Sequence, residues 1–263
     1  MLLTNKSVSV VLGVYNQANI LERTLPIWAA ECISYREGSE LIICDDGSTD
    51  NTSEVVDAFM EKMSTSGLRI VYLKKERAKK PQLSKSLNMA LPFITARFVL
   101  FAMGDSYPAG HILSDYKPFL DEQSILSGLR KGIKGPFNYS TITKDYRTYT
   151  PQYTSIGESN RPWLGFTGNN FVMPFSMLSD MGGWNEGFQG YGAEDWELAA
   201  FAYFAYSAKF VPVPDACVYH ITHEVREGSG DANYYLAKWV TKLIGRYSTG
   251  DFRRSTAGFK IRG

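Results

Sequence analysis

The first hundred residues alternate between short, nearly continuous apolar runs and longer amphipathic segments. The apolar runs are rich in β-branched side chains, which is typical of strands buried on both faces. Strands are predicted over residues 8–15, 40–44, 69–73 and 97–102, and helices over 20–34, 51–63 and 82–94. Strands that alternate with helices in this way predict an α/β domain with a parallel, Rossmann-like sheet.

The second half of the chain has a less regular pattern. Residues 128–161 are polar and rich in Gly, Tyr, Thr and Ser, which favours a long active-site loop over regular structure. Order is predicted to return over 166–173, with a short helix from Phe175 and an acidic helix over 194–206. Two further strands are predicted near Phe210 and Val218.

Length and charge limit the function classes. A chain of 263 residues can bury one large core, and the aromatic fraction of 14% fits a folded enzyme. The net charge of +1 argues against a dedicated nucleic-acid binder. The charge is uneven, because residues 232–263 hold seven basic side chains and one acid, a balance of +6 that leaves −5 for the rest.

The basic C-terminal segment, 231–263, is predicted to contain an amphipathic helix. Apolar residues from Tyr235 to Ile244 recur at helical spacing, and Lys238, Lys242 and Arg246 follow every four residues on the other side. This helix either contacts an anionic membrane surface peripherally or packs its apolar face on the domain. The packing interpretation is slightly favoured.

Cysteine usage and the absence of a leader-like pattern indicate the compartment. The three cysteines, Cys32, Cys44 and Cys217, are odd in number and form no Cys-x-x-Cys pair, so a disulfide framework is not expected. The N-terminus shows no signal-peptide pattern, and no run of about 20 apolar residues is present. We therefore expect a reducing, cytoplasmic location, with at most peripheral membrane contact.

Three acidic clusters carry the candidate chemistry. Asp45 and Asp46 follow the second predicted strand, Asp105 follows the fourth, and Glu194 with Asp195 opens the acidic helix. In α/β sheets, ligands bind beyond the carboxyl ends of the strands. Together with a histidine at a later strand, these clusters predict a site for a metal ion and a nucleotide diphosphate.

Two blocks carry a resemblance to a known family. Val8-Ser9-Val10-Val11-Leu12-Gly13-Val14-Tyr15-Asn16, followed by Cys44-Asp45-Asp46-Gly47-Ser48-Thr49-Asp50-Asn51-Thr52, resembles the opening of glycosyltransferase family 2, which has the GT-A fold. Residues 183–188 and 190–197 are similar to the C-terminal block of galactosyltransferases and chondroitin-polymerase-type enzymes. Roughly residues 7–224 are covered.

The resemblance implies a fold and a domain organisation. It implies a GT-A domain over 1–230, with a mostly parallel central sheet flanked by helices and the C-terminal helical tail outside it. Within this domain, residues 1–108 would bind the nucleotide and residues 109–230 would hold the acceptor and the catalytic groups.

The same resemblance implies the nucleotide-binding residues. Asp46 matches the acid that reads the uracil edge, a role that a carboxylate suits because it accepts from N3–H. In such enzymes an arginine that stands eleven residues before a helical asparagine also contacts the base, and Arg77 and Asn88 have this spacing. Asp45 is equally well explained by turn chemistry. The remaining nucleotide contacts are expected at Gly13, Tyr15 and Gly104.

The metal site departs from the family pattern. The usual Asp-X-Asp motif is replaced by Met103-Gly104-Asp105, so the first acid is missing and the second, Asp105, remains as a metal ligand. His220 matches the histidine that completes the site, although His223 is an alternative. A nitrogen ligand beside a carboxylate favours Mn²⁺ over Mg²⁺. The structural alternative is a lone acid before a Tyr-Pro turn.

The catalytic base and the sugar contacts are implied by the second block. Asp195 matches the base of inverting transfer, and Glu194 would bind donor or acceptor hydroxyls. Sugar contacts are expected at Asn169, Asn170, Trp184 and Tyr191. Stacking candidates are Trp163, Phe166, Trp184, Tyr191 and Trp196, at least two of which we expect to be core residues instead.

These features predict an inverting, metal-dependent glycosyltransferase of polysaccharide or glycolipid biosynthesis. It would move a hexose or N-acetylhexosamine from a UDP-sugar to a hydroxyl of a glycan or lipid-linked acceptor. One alternative is a sugar-nucleotide-binding protein without catalysis, motivated by the missing acid. Another is a nucleotidyltransferase of similar topology, although Tyr15-Asn16-Gln17 stands where those enzymes carry a Gly-rich basic loop.

Overall fold

The computed structural model describes residues 5–134, 139–142, 162–166, 168–188 and 194–222. The strands are β1 (Val8–Val14), β2 (Ser39–Asp45), β3 (Arg69–Lys74), β4 (Phe98–Met103), β5 (Ser106–Pro108), β6 (Ser124–Ile133), β7 (Phe171–Pro174) and β8 (Lys209–Ile221). The α-helices are α1 (Ala18–Ser34), α2 (Thr52–Met63), α3 (Leu83–Asn88), α4 (Ile112–Tyr116), α5 (Phe175–Asp180) and α6 (Glu194–Tyr206). Short 3₁₀ turns span Leu91–Phe93, Lys117–Phe119, Tyr139–Thr141 and Pro162–Gly165.

A single eight-stranded sheet organises the described residues, in the order β3-β2-β1-β4-β7-β6-β8-β5. β1 pairs in parallel with β2 on one side and β4 on the other, and β2 pairs in parallel with β3. All seven residues of β1 are buried, because helices cover both faces of the sheet. The prediction of a mostly parallel sheet flanked by helices is confirmed.

The sheet has mixed strand directions beyond β4. β7 runs antiparallel to both β4 and β6, and β5 runs antiparallel to β8, whereas β6 and β8 are parallel. Residues 128–133, predicted as the start of a loop, are the second half of β6. The two strands predicted near Phe210 and Val218 are one strand, β8, whose register with β6 shifts between Gly128 and Leu129.

Gly128 permits the close approach of backbones at this irregularity. A Cβ at Gly128 would lie 2.0 Å from the carbonyl oxygen of Ala216 and 2.4 Å from Nδ2 of Asn170. Real Cβ atoms do not approach backbone oxygens this closely, so only glycine fits here. The glycine that made the segment resemble a loop is therefore what lets it join the sheet.

Proline lies inside one predicted helix without ending it and shortens another. α1 begins at Ala18 and continues through Pro26, whose ring removes one N–H donor without ending the helix. α3 ends at Asn88 instead of continuing to 94. Pro92 has no N–H to donate to the carbonyl of Asn88, so the chain continues as a 3₁₀ turn.

The core lies on both faces of the sheet. Val10 and Leu12 of β1 point to a face covered by α1, α2 and α4, where Trp28 is fully buried. Val11 points to the opposite face, which is covered by α3, α5 and α6 and contains a cluster of aromatic rings around Phe171. This sandwich fixes the strand ends that carry the candidate site.

The described residues include no helix that is long and apolar enough to cross a membrane. Cys32, Cys44 and Cys217 are buried free thiols, and burial raises the pKa of the Cys32 thiol to about 12. The predicted tail, 231–263, lies outside the described residues, so its membrane contact stays a prediction.

Candidate active site

The candidate residues of the first half meet at one edge of the sheet. Tyr15 follows β1, Asp46 follows β2, and Asp105 follows β4. Because β1 lies between β2 and β4, the carboxyl ends of the three strands are neighbours. This is the edge at which open α/β sheets bind their ligands.

Asp45 serves the turn after β2. It is fully buried, and its Oδ1 accepts hydrogen bonds of 2.7 Å from both the backbone N–H and the hydroxyl of Ser48. Its Oδ2 accepts from the hydroxyl of Tyr72 at 2.7 Å. Burial raises the pKa of Tyr72, so its phenol stays protonated and donates its hydrogen bond to Asp45. These contacts favour turn chemistry over ligand binding for Asp45.

Asp46 is also buried, but its carboxylate is surrounded by charged donors. Oδ1 lies 2.9 Å from Nζ of Lys75 and accepts from the Ser86 hydroxyl at 2.8 Å. Oδ2 accepts from Nη1 of Arg77 at 3.2 Å and from the backbone N–H of Gln82 at 3.1 Å. The structure thus joins Asp46 and Arg77, as expected, and adds Lys75 and Ser86, which sequence reasoning missed. Lys75 stands in a run of basic residues that is typical of a solvated loop, so no pattern marked it.

Arg77 also stacks on Tyr15. Its guanidinium carbon lies 4.0 Å from the centre of the Tyr15 ring, a cation–π distance. Gly47, with φ of +82°, makes room for this approach, because a Cβ there would lie 2.7 Å from the backbone of Arg77. The planar Arg77 guanidinium therefore contacts both the Tyr15 ring and the Asp46 carboxylate. The nucleobase of the donor is expected beside the same residues.

Gly13 and Gly104 hold the ends of β1 and β4 together. The Gly104 N–H donates to the Gly13 carbonyl at 2.9 Å. A Cβ on Gly104 would lie 2.4 Å from Oε1 of Gln17 and 2.7 Å from Cγ1 of Val14, so packing alone requires a glycine. Their contact with a nucleotide stays a prediction.

Asn88 has a structural role in this conformation. Its Nδ2 donates to the Trp184 carbonyl at 2.8 Å and to Oε1 of Glu186 at 2.9 Å, and its Oδ1 accepts from the Trp184 N–H at 2.7 Å. The amide therefore ties α3 to residues 184–186. These contacts hold the amide within the protein in this conformation, and the assignment of Asn88 to the nucleotide pocket stays a prediction.

The predicted metal ligands are brought together by strand pairing. Ser106 of β5 stands opposite His220 of β8, and the Ile221 N–H donates to the Asp105 carbonyl at 2.9 Å. Nε2 of His220 consequently lies 3.5 Å from Oδ2 of Asp105. Both side chains are largely buried, at 17% and 8% exposure. His223, the alternative ligand, lies outside the described residues.

This pair fits part of a divalent-cation site. One carboxylate oxygen and one imidazole nitrogen are a donor set that suits Mn²⁺. Among the residues that the structure describes, no group of three or more His, Cys, Asp or Glu side chains forms a metal site. A metal held here would need ligands in addition to Asp105 and His220.

Asp195 lies in the first turn of α6, where the helix dipole favours a negative charge. Its Oδ2 accepts a 2.7 Å hydrogen bond from the backbone N–H of Gly168, and its Oδ1 accepts from the Trp196 N–H at 2.8 Å. The Trp196 indole N–H donates to the Phe166 carbonyl at 3.1 Å. These bonds attach the start of α6 to Phe166 and Gly168 and fix the orientation of the carboxylate.

The metal pair and Asp195 are connected through two adjacent residues. Gly168 bonds to Asp195, and the next residue, Asn169, exchanges hydrogen bonds with the hydroxyl of Ser106, the shorter at 2.8 Å. Ser106 directly follows Asp105. Adjacent Cα atoms are 3.8 Å apart. The candidate base and the residue next to the candidate ligand Asp105 are therefore bonded to neighbouring residues, Gly168 and Asn169.

Asn170 has a structural role that the sequence did not reveal. It is fully buried with φ of +70°, and its Nδ2 donates to the carbonyls of Leu129 and Ala216 at 2.8 and 2.7 Å. Its Oδ1 accepts from the Tyr116 hydroxyl at 2.9 Å. The amide therefore joins β6, β7 and β8 where they meet, and its assignment to the sugar pocket stays a prediction. Asn169 stays a candidate.

Several aromatic stacking candidates are core residues. Trp184 has no exposed surface, and its ring packs edge-on against Phe101 at 5.2 Å. Trp163 and Phe166 are likewise buried. The burial of these rings agrees with the expectation that at least two candidates are core residues, while the assignment of Trp184 to the sugar site stays a prediction. Tyr191 lies outside the described residues.

The acids beside Asp195 point into protein. Glu194 and Glu197 are buried, at 8% and 1% exposure, and Oε1 of Glu197 accepts from Nδ2 of Asn185 at 3.3 Å. Asp195 is more exposed than either. It is therefore the acid of this cluster best able to meet a substrate, while a hydroxyl contact by Glu194 stays a prediction.

Comparison with known proteins assigns this geometry to a family. The family model described as Glycosyl transferase family 2 matches residues 9–182, which include the β2 edge and Asp105. The chain belongs to glycosyl transferase family 2. Asp195 and His220 lie beyond the matched range, so the resemblance of the C-terminal block stays a prediction.

Curated relatives in this family are sugar transferases. The chain is 27% identical over 222 residues to a validoxylamine A glucosyltransferase of Streptomyces hygroscopicus subsp. jinggangensis, covering 72% of this chain and 50% of the relative. It is 35% identical over 145 residues to the human dolichyl-phosphate beta-glucosyltransferase, covering 49% and 42%. The chain spans about half the length of these relatives.

Solved structures support the GT-A fold. TarS residues 1–349 of Staphylococcus aureus in complex with UDP-GlcNAc superposes with a TM-score of 0.66 at 21% identity, covering 97% of this chain and 68% of that one. A Pyrobaculum calidifontis mannosyltransferase in complex with GDP-Man and Mn²⁺ gives 0.60 at 17% identity, covering 95% and 65%. At this identity the likeness establishes the fold alone.

Proposed function

We propose that this chain is an inverting, metal-dependent glycosyltransferase. It moves a hexose or N-acetylhexosamine from a UDP-sugar to a hydroxyl of a glycan or lipid-linked acceptor. Family membership supports sugar transfer, and the relatives named as glucosyltransferases, together with the fold shared with TarS in complex with UDP-GlcNAc, support this donor class.

The reaction needs a base on the acceptor side. The Asp195 carboxylate accepts the proton of the acceptor hydroxyl as its oxygen attacks the anomeric carbon. The bond from that carbon to the diphosphate oxygen breaks on the opposite face, so the configuration inverts. Gly168 keeps the base oriented through its 2.7 Å hydrogen bond to Oδ2 of Asp195.

The leaving group needs positive charge. Asp105 and His220 would hold a divalent cation, Mn²⁺ in preference to Mg²⁺, which when bound supplies charge that stabilises the departing diphosphate. Asp46, Arg77 and Tyr15 at the β2 edge would hold the base of the nucleotide, in keeping with the cation–π pair found there.

The carrying observation is the connection between the candidate base and the candidate metal ligands. Asp195 bonds to Gly168, and Asn169 bonds to Ser106, the neighbour of Asp105. A transferase must act on both sides of one anomeric carbon, and this arrangement suits that requirement. A protein that only binds sugar nucleotides would not need a base there.

The second candidate is a sugar-nucleotide-binding protein without catalysis. Met103 stands where the family motif has its first acid, and a thioether cannot replace a carboxylate as an acceptor for hydroxyls or as a ligand for a hard cation. This substitution favours weaker metal binding and leaves the base unaffected.

A donor panel separates the two candidates. The purified chain is incubated with UDP-glucose, UDP-galactose, UDP-GlcNAc, UDP-GalNAc and GDP-mannose, with Mn²⁺ or Mg²⁺ and glycan or glycolipid acceptors, and nucleotide release and product mass are measured. We expect release of UDP with a matching gain of one sugar on an acceptor. Binding of UDP-sugars without release would support the non-catalytic candidate, and turnover of GDP-mannose alone would refute the uridine assignment.

Membrane contact is a separate part of the proposal. A lipid-linked acceptor would bring the enzyme to a membrane surface, and the basic segment 231–263 is the predicted contact. Liposome flotation with anionic lipids, compared between the full chain and a chain ending at residue 230, tests this part.

A further inference from the structure

Lys75 is a buried lysine beside the proposed base-binding acid. Its side chain is only 8% exposed, and Nζ lies 2.9 Å from Oδ1 of Asp46. The other lysines of this stretch, Lys74, Lys79 and Lys80, are exposed. Burying an ammonium is costly unless it is paired and hydrogen-bonded, so the placement of Lys75 distinguishes it from its neighbours.

Two cations flank the Asp46 carboxylate on different oxygens. Lys75 pairs with Oδ1 at 2.9 Å, and Nη1 of Arg77 pairs with Oδ2 at 3.2 Å. Nζ of Lys75 also donates to the Glu76 carbonyl at 3.2 Å, which leaves one of its three N–H groups for a ligand. Arg77 uses Nη1 for Asp46, and its guanidinium has further N–H groups. The Asp46 carboxylate therefore lies between two cationic donors, and once it releases one contact the edge has the order donor, acceptor, donor.

This order of donors and acceptors is complementary to one nucleobase edge. Uracil presents the O2 carbonyl, N3–H and the O4 carbonyl, which is acceptor, donor, acceptor. Cytosine places a lone pair at N3, which would face the carboxylate. Guanine carries an amino group beside N1–H, which would face a cation. Polar groups that are buried without partners are penalised, so such mismatches select for uracil.

We infer that Lys75 is a specificity-determining residue that donates a hydrogen bond to a uracil carbonyl while Asp46 accepts from N3–H. The inference rests on the proposed function and deepens it, since it adds a third base-reading side chain to Asp46 and Arg77. Arg77 serves the second carbonyl.

The Asp46 carboxylate must release one donor to admit N3–H. Its two oxygens have about four acceptor positions, and Lys75, Arg77, Ser86 and Gln82 already use four. Arg77 makes the longest of these contacts and has a side chain that is 28% exposed. Arg77 is therefore the donor that leaves the Asp46 carboxylate and bonds to a uracil carbonyl, whereas Lys75 keeps its contact with Asp46.

The test measures which uracil carbonyl each side chain reads. Binding of UDP, 2-thio-UDP and 4-thio-UDP to the full chain is titrated by calorimetry, since sulfur is a much weaker acceptor than oxygen. The variants are Lys75→Met and, as the matched control, Lys79→Met on the same loop. Ratios of affinities within one variant do not depend on the fraction of folded protein.

We expect both thio analogues to bind the wild type more weakly than UDP does. Lys75→Met should weaken UDP binding about tenfold or more and lose its sensitivity to one thio analogue while keeping its sensitivity to the other. Lys79→Met should behave as the wild type. The role of Lys75 is overturned if Lys75→Met binds UDP within twofold of the wild-type affinity, or if this variant still binds both thio analogues more weakly than UDP. Either result leaves the proposed function intact. A wild type that does not bind UDP overturns the uridine donor as well.

Discussion

The backbone N–H of Gly168 donates a 2.7 Å hydrogen bond to Oδ2 of Asp195. A Cβ at Gly168 would lie 3.3 Å from Cβ of Asp195, so the loop before β7 and the start of α6 are in close contact. The orientation of the proposed base therefore depends on a residue 27 positions earlier in the chain.

The first prediction concerns this contact. Gly168→Ala should lower kcat about tenfold, because the added methyl group displaces the base from a position in which small misplacements are costly. Donor affinity should stay within a few-fold of wild type. Gly110→Ala is the matched control, since a Cβ there meets nothing within 4 Å. Steady-state kinetics check this, and an unchanged kcat in Gly168→Ala would show that the contact does not position the base.

The second prediction concerns folding stability and pH. Asp50 accepts hydrogen bonds from the first residues of two helices, since Oδ1 accepts from the Thr52 N–H of α2 at 3.1 Å and Oδ2 accepts from the Ala18 N–H of α1 at 3.2 Å. Partial burial opposes ionisation, but the hydrogen bonds outweigh it and lower the pKa of Asp50 below its ordinary value of 3.8. This stabilisation is complete above the ordinary carboxyl pKa and is lost as pH falls through the lowered one.

Asp50→Ala should therefore lower the free energy of unfolding by about 1 kcal/mol at pH 7. The difference from wild type should shrink below pH 3.8, the ordinary carboxyl value. Urea unfolding at several pH values measures this, with Asp57→Ala, an exposed acid of α2, as control. A deficit that is constant down to the lowest pH would mean that the charge of Asp50 is not what stabilises the helix ends.

The third prediction concerns the metal. Activity should require a divalent cation, should be highest with Mn²⁺ and should be lost on chelation. Asp105→Ala and His220→Ala should raise the Mn²⁺ concentration needed for half-maximal activity, because each removes one donor of the pair 3.5 Å apart. His111→Ala is the control, since that side chain is 77% exposed. Full activity in excess chelator contradicts the proposed metal site. Loss of activity in His223→Ala but not in His220→Ala would mean that His223, and not His220, is the nitrogen ligand.

The fourth prediction concerns the nucleobase. Wild type should bind UDP at least about tenfold more tightly than GDP, since a mismatched base leaves buried polar groups unpaired. Asp46→Ala should reduce that preference and also destabilise the fold, because Lys75 loses its carboxylate partner. Calorimetry with both nucleotides measures the ratio. Equal affinity of wild type for UDP and GDP would leave the family assignment intact but require another donor.

The sequence predicted the parallel half of the fold well, because each strand there is an apolar run that ends in turn residues. The strand β6 was missed, since Gly128 and Gly132 with the polar Arg130 and Lys131 resemble a loop. Its pairing with β8 depends on contacts about 85 residues apart along the chain. No local pattern contains that information.

The candidate site shows the same division. Acids at strand ends are visible in the sequence, and the pairing of Asp105 with His220 follows from the predicted roles. The structural roles of Asn88 and Asn170 are not visible, because their amides bond to backbone atoms between 41 and 96 residues away. Burial of Lys75 is hidden for a related reason, since an isolated basic run predicts exposure and only the fold places one lysine on Asp46.

The turnover of Asp195→Asn tests most directly whether Asp195 is the general base of sugar transfer. The variant keeps the size of the side chain but removes the carboxylate that accepts the proton, and loss of a general base costs about 10²–10⁴ in rate. Asp180→Asn, an exposed acid at the end of α5, is the control. With the donor and acceptor found in the panel, the account predicts product formation by Asp195→Asn reduced by at least about 10², with UDP-sugar affinity within a few-fold of wild type. Product formation at a near-normal rate would contradict it.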